Sequence, residues 1–540
     1  MAATSSLEGP TFQIPDQFNI ASYFIDRNLL LGRANNIAIH EQERKLTYAQ
    51  LAEMVNRAGN GFRSLGIDPE NRVLVAAPDS AEFVAAFFGA AKIGAVPIPV
   101  NPAARPDDYL YFLRDSGAKA FVLHEELWPQ LRDILSQAPS LQHVLLLPQD
   151  PSSVATAPAP PPGARYVSQS FARLLEEASP ELEAAPTSKD DIAFILYTSG
   201  STGGPKGAVH LQHDMLVATE LYARGILGIT ERDIAFSASK LFFAYGLGNG
   251  SYFPFSVGAA AVYNPHRPKP EFVFDTIEKF RPTLFFGVPT LFAAMLQNQE
   301  PRDLSSIRFA VSAGEALPAE IFHRFRERFG VSILDGIGST EMLHIFISNR
   351  PGDIRPGCTG KIVPGYEAKV LDDVGSPAPP GEIGNLWVKG DSAAAFYWKK
   401  QDLSRRTMAG EWLATGDKYC VDEKGYYTYC GRADDMLKVS GQWVSPVELE
   451  NAMVGCPGVL EAAVVGREDE EGLVKPKAFV VRSDRSGSVT EESLRNCLRE
   501  KLPGYKCPRW IEFVEELPKT PTGKIQRFKL REHSSAKQPR

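Results

Sequence analysis

Apolar and polar residues alternate along the first part of the chain in blocks typical of strands and helices. Arg72 to Ala77 is a short apolar run, which predicts a buried strand. Ala81 to Ile93 has helical spacing, and Ala95 to Val100 is a second extended apolar run. Because strand, helix and strand follow one another, and the pattern repeats to about Leu147, the sequence predicts a mostly parallel sheet with helices on both faces.

The rest of the pattern divides the chain into a large and a small part. Pro148 to Gly163 has too little apolar material to pack and predicts a surface connector. Pro379 to Gly390 and Tyr426 to Tyr429 predict a β-rich subdomain, and Ala462 to Gly466 and Lys477 to Val481 predict strands of a small α/β unit. The predicted fold class is α/β, with a large N-terminal domain of several subdomains, containing doubly wound, mostly parallel sheets, and a small mobile α/β C-terminal lid.

Composition indicates an ordinary globular protein. Of the 540 residues, 44% are hydrophobic and 23% are charged, which is enough apolar material for several domains. No apolar run reaches the ~18 residues that a membrane helix needs, since Val84 to Val100 is interrupted by Lys92 and two prolines. The N-terminus lacks the basic start and apolar core of a signal peptide. We therefore expect a cytoplasmic protein that does not enter a membrane.

Charge and cysteine spacing narrow the function further. The net charge of -7 argues against nucleic-acid binding, which usually shows a basic surplus. The six cysteines show no CxxC spacing, and the nine histidines form no paired ligand cluster. We expect reduced thiols and no structural zinc.

The stretch Thr198 to Gly207, TSGSTGGPKG, has the composition of a phosphate-binding loop. Its hydroxyls, its glycine-rich backbone amides and Lys206 can all donate to phosphate oxygens. It is not a Walker A loop, because Pro205 stands where the second glycine should precede the lysine and Gly207 replaces the magnesium-binding Ser/Thr. A P-loop kinase is therefore disfavoured. The alternative of a Ser/Gly linker is weakened, because a buried strand precedes the loop and Ala208 to Tyr222 has roughly helical spacing.

This loop resembles the signature of the adenylate-forming superfamily, which comprises acyl-CoA synthetases, luciferases and peptide-synthetase adenylation domains. Other motifs follow in family order over nearly the whole chain. Asp335 to Glu341, DGIGSTE, resembles the segment that borders adenine. The TGD that ends at Asp417 resembles the ribose motif, GRADD from Gly431 resembles the hinge segment, and PKTPTGK, which ends at Lys524, resembles the terminal catalytic motif.

The resemblance implies a role for each matching residue. Glu341 would bind Mg²⁺, Thr340 would touch the nucleotide, and Lys524 would bridge the acyl carboxylate and the α-phosphate as charge develops. Asp434 would be the hinge between an adenylation domain, residues 1–432, and a lid, residues 433–540. The residues expected to contact ATP or coenzyme A are Thr198, Ser199, Gly200, Ser201, Thr202, Lys206, Gly314, Glu315, Ala316, Asp335, Gly336, Ile337, Gly338, Asp417, Arg432, Ser440 and Gly441.

Within the superfamily the chain resembles the benzoate–CoA ligases, notably in KLFFAYGLGNG (240–250) and DGIGSTEMLHIFISN (335–349). The reaction implied joins an aryl carboxylate to coenzyme A through an aryl-AMP intermediate, with ATP and Mg²⁺. The small residues would form the floor of a slot for a planar ring, and Tyr245 its wall. His344 is equally compatible with a pocket role and with a satisfied core histidine. The predicted ring-binding residues are Ala244, Tyr245, Gly246, Gly314, Gly336, Ile337, Gly338 and His344.

Several alternatives stay open at this point. The preferred acid could be benzoate, 4-hydroxybenzoate or 2-aminobenzoate, since a pocket His or Tyr could hydrogen-bond a ring substituent. The acceptor could be a carrier-protein thiol, although nothing after Arg540 could be a fused carrier domain. A binding protein without turnover would show degraded motifs, and these are intact. A homodimer is compatible with the family resemblance.

Overall fold

The computed structural model describes residues 5–150, 157–198, 204–439, 442–469, 473–483, 489–519 and 525–535. Its architecture is α/β throughout, as the alternating pattern predicts. Two parallel sheets and a β-rich part form the large unit, and a small α/β unit follows them in the chain.

The largest sheet has nine strands and is parallel through its centre. Its six central strands are parallel neighbours, and antiparallel strands flank them at both edges. Because the parallel strands end at one edge, the loops after Ser237, Gly287, Ser312 and Gly338 gather there, where ligands bind in open α/β sheets. The strands, in sheet order, are Lys361–Ile362, Ile345–Ser348, Ile333–Gly338, Phe309–Ser312, Leu284–Gly287, Ile234–Ser237, Ala260–Tyr263, Ile37–Glu41 and Arg44–Thr47.

The second large sheet is parallel and has five strands, as the opening sequence pattern predicts. The helix Ala81–Lys92 that crosses it is buried on nearly every side, which explains why its sequence is apolar all round. Lys92 is the buried exception, and its Nζ donates to Asp26 Oδ1 at 2.7 Å. The strands, in sheet order, are Val96–Pro99, Arg72–Ala76, Ala120–His124, His143–Leu147 and Val167–Ser170.

Two further β structures complete the large unit. Ile192–Thr198 and Lys206–Leu211 pair antiparallel, with the short strand Phe396–Tyr397 on the outer side of the second. The predicted helical spacing of Ala208 to Tyr222 is therefore wrong as far as Leu211, because these residues continue a hairpin strand. The β-rich sheet is built from Ser5–Ser6, Glu367–Leu371, Gly384–Lys389, Trp412–Val421, Met408–Ala409 and Tyr427–Arg432.

Helices cover the faces of these sheets. None of the helices in the described part of the chain combines the length and apolar character that a bilayer crossing needs. The α-helices of the large unit are Arg27–Leu30, Tyr48–Ser64, Ala81–Lys92, Pro106–Ser116, Trp128–Leu135, Phe171–Glu177, Asp214–Ala218, Ala244–Leu247, Phe253–Val257, Pro270–Phe280, Pro289–Met295, Ala319–Phe329 and Gln401–Thr407, with π-helical turns at Ser22–Asp26, Thr219–Arg224 and Gly248–Tyr252 and a 3₁₀ turn at Glu125–Leu127.

The last part of the chain forms its own sheet and core. Leu449, Val464 and Val480 are among the side chains that pack together at its centre. The boundary after residue 432 stays a prediction. The elements are the strands Leu437–Val439, Gln442–Val444, Val459–Glu468, Val474–Arg482 and Trp510–Val514, the helices Pro446–Val454, Glu491–Lys501 and Arg527–Ser535, and the 3₁₀ turn Gly504–Lys506.

Two details of this unit differ from the sequence expectations. Cys456 and Cys497 form a disulfide across 41 residues, so the expectation of reduced thiols is wrong for this pair. Cys497 lies on the helix Glu491–Lys501, and Cys456 lies two residues after the end of the helix Pro446–Val454. Tertiary packing brings the two cysteines together, which their spacing in sequence does not reveal. Ser445 and Glu448 have the spacing of a capping box, of which only one half forms. Ser445 accepts from the Glu448 N–H, whereas the Glu448 carboxylate pairs with Lys506 at 2.7 Å.

A buried ion pair anchors the last helix. Arg527 Nη2 lies 2.7 Å from Glu450 Oε2, and the Glu450 residue is only 8% exposed. Burial raises the pKa of Glu450, and the nearby Arg527 guanidinium opposes that rise. Arg531, which lies on the same helix as Arg527, donates to Asp435 Oδ1 at 2.7 Å. Asp435 is next to the predicted hinge. The helix Arg527–Ser535 is thereby tied to the hinge segment.

We expect Arg527→Met to destabilise the C-terminal unit by about 3–5 kcal/mol, because it leaves the buried Glu450 carboxylate without its cationic partner. The free energy of unfolding can be measured in urea, with hydrogen exchange of the amides in Val459–Glu468 as the probe of this unit. Arg173→Met is the control, since the Arg173–Glu177 pair is 69% and 62% exposed and should contribute less than about 1 kcal/mol. Equal effects of the two substitutions would contradict the expectation.

Candidate active site

Thr198 ends the first strand of the phosphate-loop hairpin, and Lys206 begins the second. The two residues are paired opposite each other across the antiparallel strands, so they flank the loop between them. Gly207 follows, and a Cβ there would meet Ile195 Cγ2 at 2.8 Å, so the close packing of the hairpin requires glycine. Ser199, Gly200, Ser201 and Thr202, also predicted to bind phosphate, lie outside the described residues.

Glu341, the predicted metal ligand, is held by its backbone and by its side chain. Its carbonyl accepts from the Ala394 N–H at 2.6 Å. Its Oε1 accepts from the Tyr397 hydroxyl, also at 2.6 Å. Burial and the Glu341 carboxylate together raise the pKa of Tyr397, so the hydroxyl keeps its proton and donates. Only one of the two carboxylate oxygens is engaged in this contact, and Glu341 is half-buried rather than enclosed.

Tyr397 joins Glu341 to the phosphate loop, and the sequence reasoning missed it. It lies on the strand Phe396–Tyr397, directly opposite Ala208. The Lys206 ammonium lies 5.5 Å from the centre of the Tyr397 ring, within cation–π range. The available signal was weak, because Tyr397 lies in an aromatic pair, Tyr397-Trp398, far from both motifs in sequence.

The predicted adenine-side loops follow two neighbouring parallel strands. Ser312 and Asp335 are register partners near the ends of these strands, so the loop Gly314–Glu315–Ala316 lies beside the segment Gly336–Gly338. Gly314 has φ +94, a conformation that favours glycine. This half of the nucleotide site is built on the sheet edge.

Asp335 has a structural position within this half of the site. Its carboxyl is buried, its Oδ2 faces the Leu317 N–H at 3.5 Å, and burial raises the pKa of Asp335 well above its usual range. Asp335 therefore shapes the loop beside it, and its contact with a nucleotide stays a prediction.

Asp417 and Arg432, predicted to bind ribose, are brought together. They are register partners across two antiparallel strands, and Arg432 Nη1 donates to Asp417 Oδ1 at 3.2 Å. The same Nη1 donates to the Thr415 carbonyl at 3.1 Å. This arrangement holds the Asp417 carboxylate in place beside a fixed positive charge.

The predicted ring-binding residues form a neutral aromatic cluster. His344 is 2% exposed, and its ring centre lies 4.4 Å from that of Phe253 and 5.5 Å from that of Tyr245. Burial lowers the pKa of His344 to about 3, so the imidazole is uncharged at neutral pH. The Tyr245 hydroxyl donates to the Val311 carbonyl at 3.1 Å, and His344 Nε2 lies 3.1 Å from Asn249 Oδ1.

Two of the pocket glycines are required by the protein backbone itself. A Cβ on Gly246 would meet the Lys240 carbonyl oxygen at 2.1 Å, and one on Gly338 would meet the His344 carbonyl oxygen at 2.5 Å. Ala244 is buried, and a Cβ on Gly336 would lie 3.0 Å from Ile345 Cγ2. Backbone packing is thus a sufficient reason for glycine at positions 246 and 338, and the expectation that small residues admit a flat ligand stays a prediction.

The C-terminal unit reaches this site at Ile525, the residue after the predicted catalytic lysine. The Ile525 N–H donates to Glu315 Oε1 at 3.0 Å. Lys524, Ser440 and Gly441 lie outside the described residues, and Asp434 is exposed. The backbone next to Lys524 therefore contacts the loop that the sequence assigns to the nucleotide.

Comparisons with known proteins agree with this geometry. The model of the AMP-binding enzymes matches residues 30–398, and that of the AMP-binding enzyme C-terminal domain matches residues 448–524. The chain is 48% identical over 528 residues to the benzoate–CoA ligase of Thauera aromatica, covering 97% of each. It is 42% identical over 522 residues to a 4-hydroxybenzoate–CoA/benzoate–CoA ligase of Rhodopseudomonas palustris, covering 95% of this chain and 94% of that one.

A solved structure agrees over the same length. The crystal structure of an anthranilate CoA ligase in complex with anthranoyl-AMP has a TM-score of 0.90 to this chain at 43% identity, covering 96% of this chain and 98% of that one. The predicted resemblance to the adenylate-forming superfamily and to its benzoate–CoA ligases is thus confirmed. The chain belongs to the AMP-binding enzyme family.

Proposed function

We propose that this enzyme joins benzoate to coenzyme A in two steps. A benzoate oxygen attacks the α-phosphorus of ATP and pyrophosphate leaves, which gives benzoyl-AMP. The coenzyme A thiolate then attacks the benzoyl carbon and AMP leaves, which gives benzoyl-CoA. The observation that carries the proposal is the neutral, aromatic cluster of Tyr245, Phe253 and His344 beside the sheet edge, which suits an uncharged ring.

The charged half of the site suits the phosphates and the ribose. Lys206 and the phosphate loop would bind the β- and γ-phosphates, and Asp417 with Arg432 would hold the ribose hydroxyls. Glu341 would hold Mg²⁺, and its partly engaged carboxylate fits a cation that keeps several waters. When bound, the cation neutralises charge on the phosphates. Thr340 would contact the nucleotide.

The C-terminal unit would supply the catalytic ammonium and later the thiol channel. The contact of Ile525 with Glu315 supports a position of Lys524 over the nucleotide during the first step. After adenylation, Ser440 and Gly441 would approach as the unit turns about Asp434. We also propose that the enzyme works in the cytoplasm and as a homodimer.

The polar groups of the aromatic cluster favour an unsubstituted ring. The Tyr245 hydroxyl and His344 Nε2 already face protein oxygens, so they are not available to a ring substituent. A ring hydroxyl would then be buried with few partners. The second candidate substrate is a hydroxybenzoate or an aminobenzoate, favoured by His344 Nδ1, a buried nitrogen with no hydrogen-bond partner within the described ranges. Relatives with those substrates are similar to this chain.

The proposal predicts that purified enzyme with MgATP and benzoate releases AMP only when free coenzyme A is added, and forms benzoyl-CoA. Parallel assays with 4-hydroxybenzoate, 2-aminobenzoate and a medium-chain fatty acid rank the ring substituents. Adenylate without thioester would indicate a carrier-protein acceptor. A preference for the fatty acid would contradict the assigned pocket.

Tyr397→Phe should lower kcat/KM for benzoyl-AMP formation by about 10-fold or more, because a hydrogen bond to a charged carboxylate contributes about 1.5–3 kcal/mol. Pyrophosphate release at varied MgATP measures it. Tyr426→Phe is the matched control, since Tyr426 also donates to a carboxylate, that of Asp353, but in the β-rich part. Unchanged kinetics in Tyr397→Phe would show that the hydrogen bond from Tyr397 to Glu341 does not contribute to adenylation.

Lys524→Ala should slow benzoyl-AMP formation by about 100-fold or more. Enzymes typically lose this much rate when one group that stabilises transition-state charge is removed. Conversion of supplied benzoyl-AMP to benzoyl-CoA should change less than about two-fold, because that step does not use the ammonium. Lys519→Ala, which removes a pair with Glu461, is the control and should leave both steps intact. Equal losses in both steps would argue against the role of Lys524.

A further inference from the structure

A buried histidine lies beneath the junction of the two main motifs. His210 is on the strand Lys206–Leu211, four residues after Lys206, and none of its side chain is exposed. Its Nε2 lies 2.8 Å from the backbone carbonyl oxygen of Thr340. Thr340 is the residue before Glu341, so one side chain connects the phosphate-loop strand to the metal-ligand segment.

A second buried side chain fixes the orientation of that ring. Asp214 Oδ2 lies 2.7 Å from His210 Nδ1 and accepts from the Leu211 N–H at 3.1 Å, and the Asp214 side chain is fully buried. The Phe194 ring stacks on the imidazole, with ring centres 5.1 Å apart and planes 18° apart. The carbonyl oxygen of Thr340 can only accept a hydrogen bond, so His210 Nε2 is the donor in that contact.

The segment Thr340 to Leu343, which His210 contacts, is fixed by interactions with other parts of the chain. Leu343, three residues after Thr340, has φ +66, an unfavourable conformation for a leucine. The next carbonyl after Thr340, that of Glu341, accepts from Ala394, and the Met342 carbonyl accepts from Ser392 at 2.9 Å. Three successive carbonyls are thus bound from outside the segment, and His210 supplies the contact that comes from the phosphate-loop strand.

We propose that His210 and Asp214 form a positioning pair for the first step of the reaction. Asp214 orients the imidazole, and His210 Nε2 donates to the Thr340 carbonyl, which sets Thr340 and Glu341 in register with Lys206. The inference rests on the proposed function of the same site. The pair does not contact the substrates, and it acts through the segment that does.

A purely structural role predicts a different result from a positioning role. Loss of a structural pair would lower stability and would reduce both half-reactions together. Loss of a positioning pair would weaken the binding of MgATP and slow adenylation, because Thr340 and Glu341 shift relative to the phosphates. It would leave the thioester-forming step and the KM for benzoate nearly unchanged, since neither depends on the place of Glu341 relative to Lys206.

The test uses the full chain with His210→Gln and Asp214→Asn. We expect benzoyl-AMP formation to fall by about 10- to 100-fold in His210→Gln, because a buried hydrogen bond to the Thr340 segment is lost. The KM and the calorimetric Kd for MgATP should rise several-fold. Asp214→Asn should show the same pattern, and thioester formation from supplied benzoyl-AMP should stay within about two-fold of wild type.

His213→Gln is the matched control. His213 Nε2 lies 3.4 Å from the other oxygen of Asp214, but His213 has no contact with Thr340 among the hydrogen bonds of the described residues. It should leave MgATP binding and adenylation unchanged. An effect equal to that of His210→Gln would overturn the proposal, because it would show that any disturbance of Asp214 has this result.

The remaining outcomes also decide the question. A His210→Gln variant that is unfolded, or that loses both half-reactions equally, would overturn the proposal in favour of a structural pair. If wild type forms no benzoyl-AMP, the proposed function fails, while the calorimetric Kd for MgATP in His210→Gln still tests the positioning role. An unchanged Kd for MgATP and unchanged adenylation would overturn the inference alone.

Discussion

The pairing of the strand Phe396–Tyr397 with the phosphate-loop hairpin is the interaction on which the site depends. Val209 and Ala208 lie opposite Phe396 and Tyr397, and the Trp398 N–H donates to the Gly207 carbonyl at 2.7 Å. This short ladder places the Tyr397 side chain between Lys206 and Glu341. Backbone hydrogen bonds thus fix the distance between two charged groups that come from distant parts of the chain.

The same ladder explains how the site combines opposite charges without collapse. A Lys206–Glu341 ion pair would neutralise both groups and leave neither for a ligand. The tyrosine between them offers its hydroxyl to the carboxylate and the face of its ring to the ammonium. Both charges are therefore stabilised in place and can still bind phosphate oxygens and a hard cation.

Much of the fold was predictable because local pattern and topology agree. The run from Arg72 to Val100 forms the predicted strand, helix and strand, since a helix that is buried on nearly every side has a sequence that is apolar all round. Asp417 and Arg432 could be proposed together because each lies in a short motif, and the structure places them side by side. The helical spacing expected from Ala208 is wrong as far as Leu211, because Ala208 to His210 are buried in succession in the middle strand of a sheet and show no alternation to reveal a strand.

The positioning residues could not be predicted in the same way. Tyr397 and His210 act through partners that are 56 and 130 residues away, and each partner is a single atom. Local sequence contains no trace of such contacts, because any tyrosine or histidine in a strand looks the same until the sheet is assembled. The disulfide between Cys456 and Cys497 and the ion pair of Arg527 with Glu450 were missed for the same reason.

The division of the site into a charged and a neutral half constrains how a substrate can lie in it. Lys206, Glu341, Asp417 and Arg432 belong to strands and loops around the phosphate-loop hairpin and the β-rich sheet. His344 is buried and Tyr245 is half-buried, and both pack against aromatic neighbours. An aryl carboxylate entering the neutral half with its charge first would lose hydration without gaining a partner. Under the proposed function, the ring would therefore enter the aromatic cluster, and the carboxylate would remain at the border with the charged half. Desolvation would then favour this orientation of the substrate before any specific contact with the carboxylate is made.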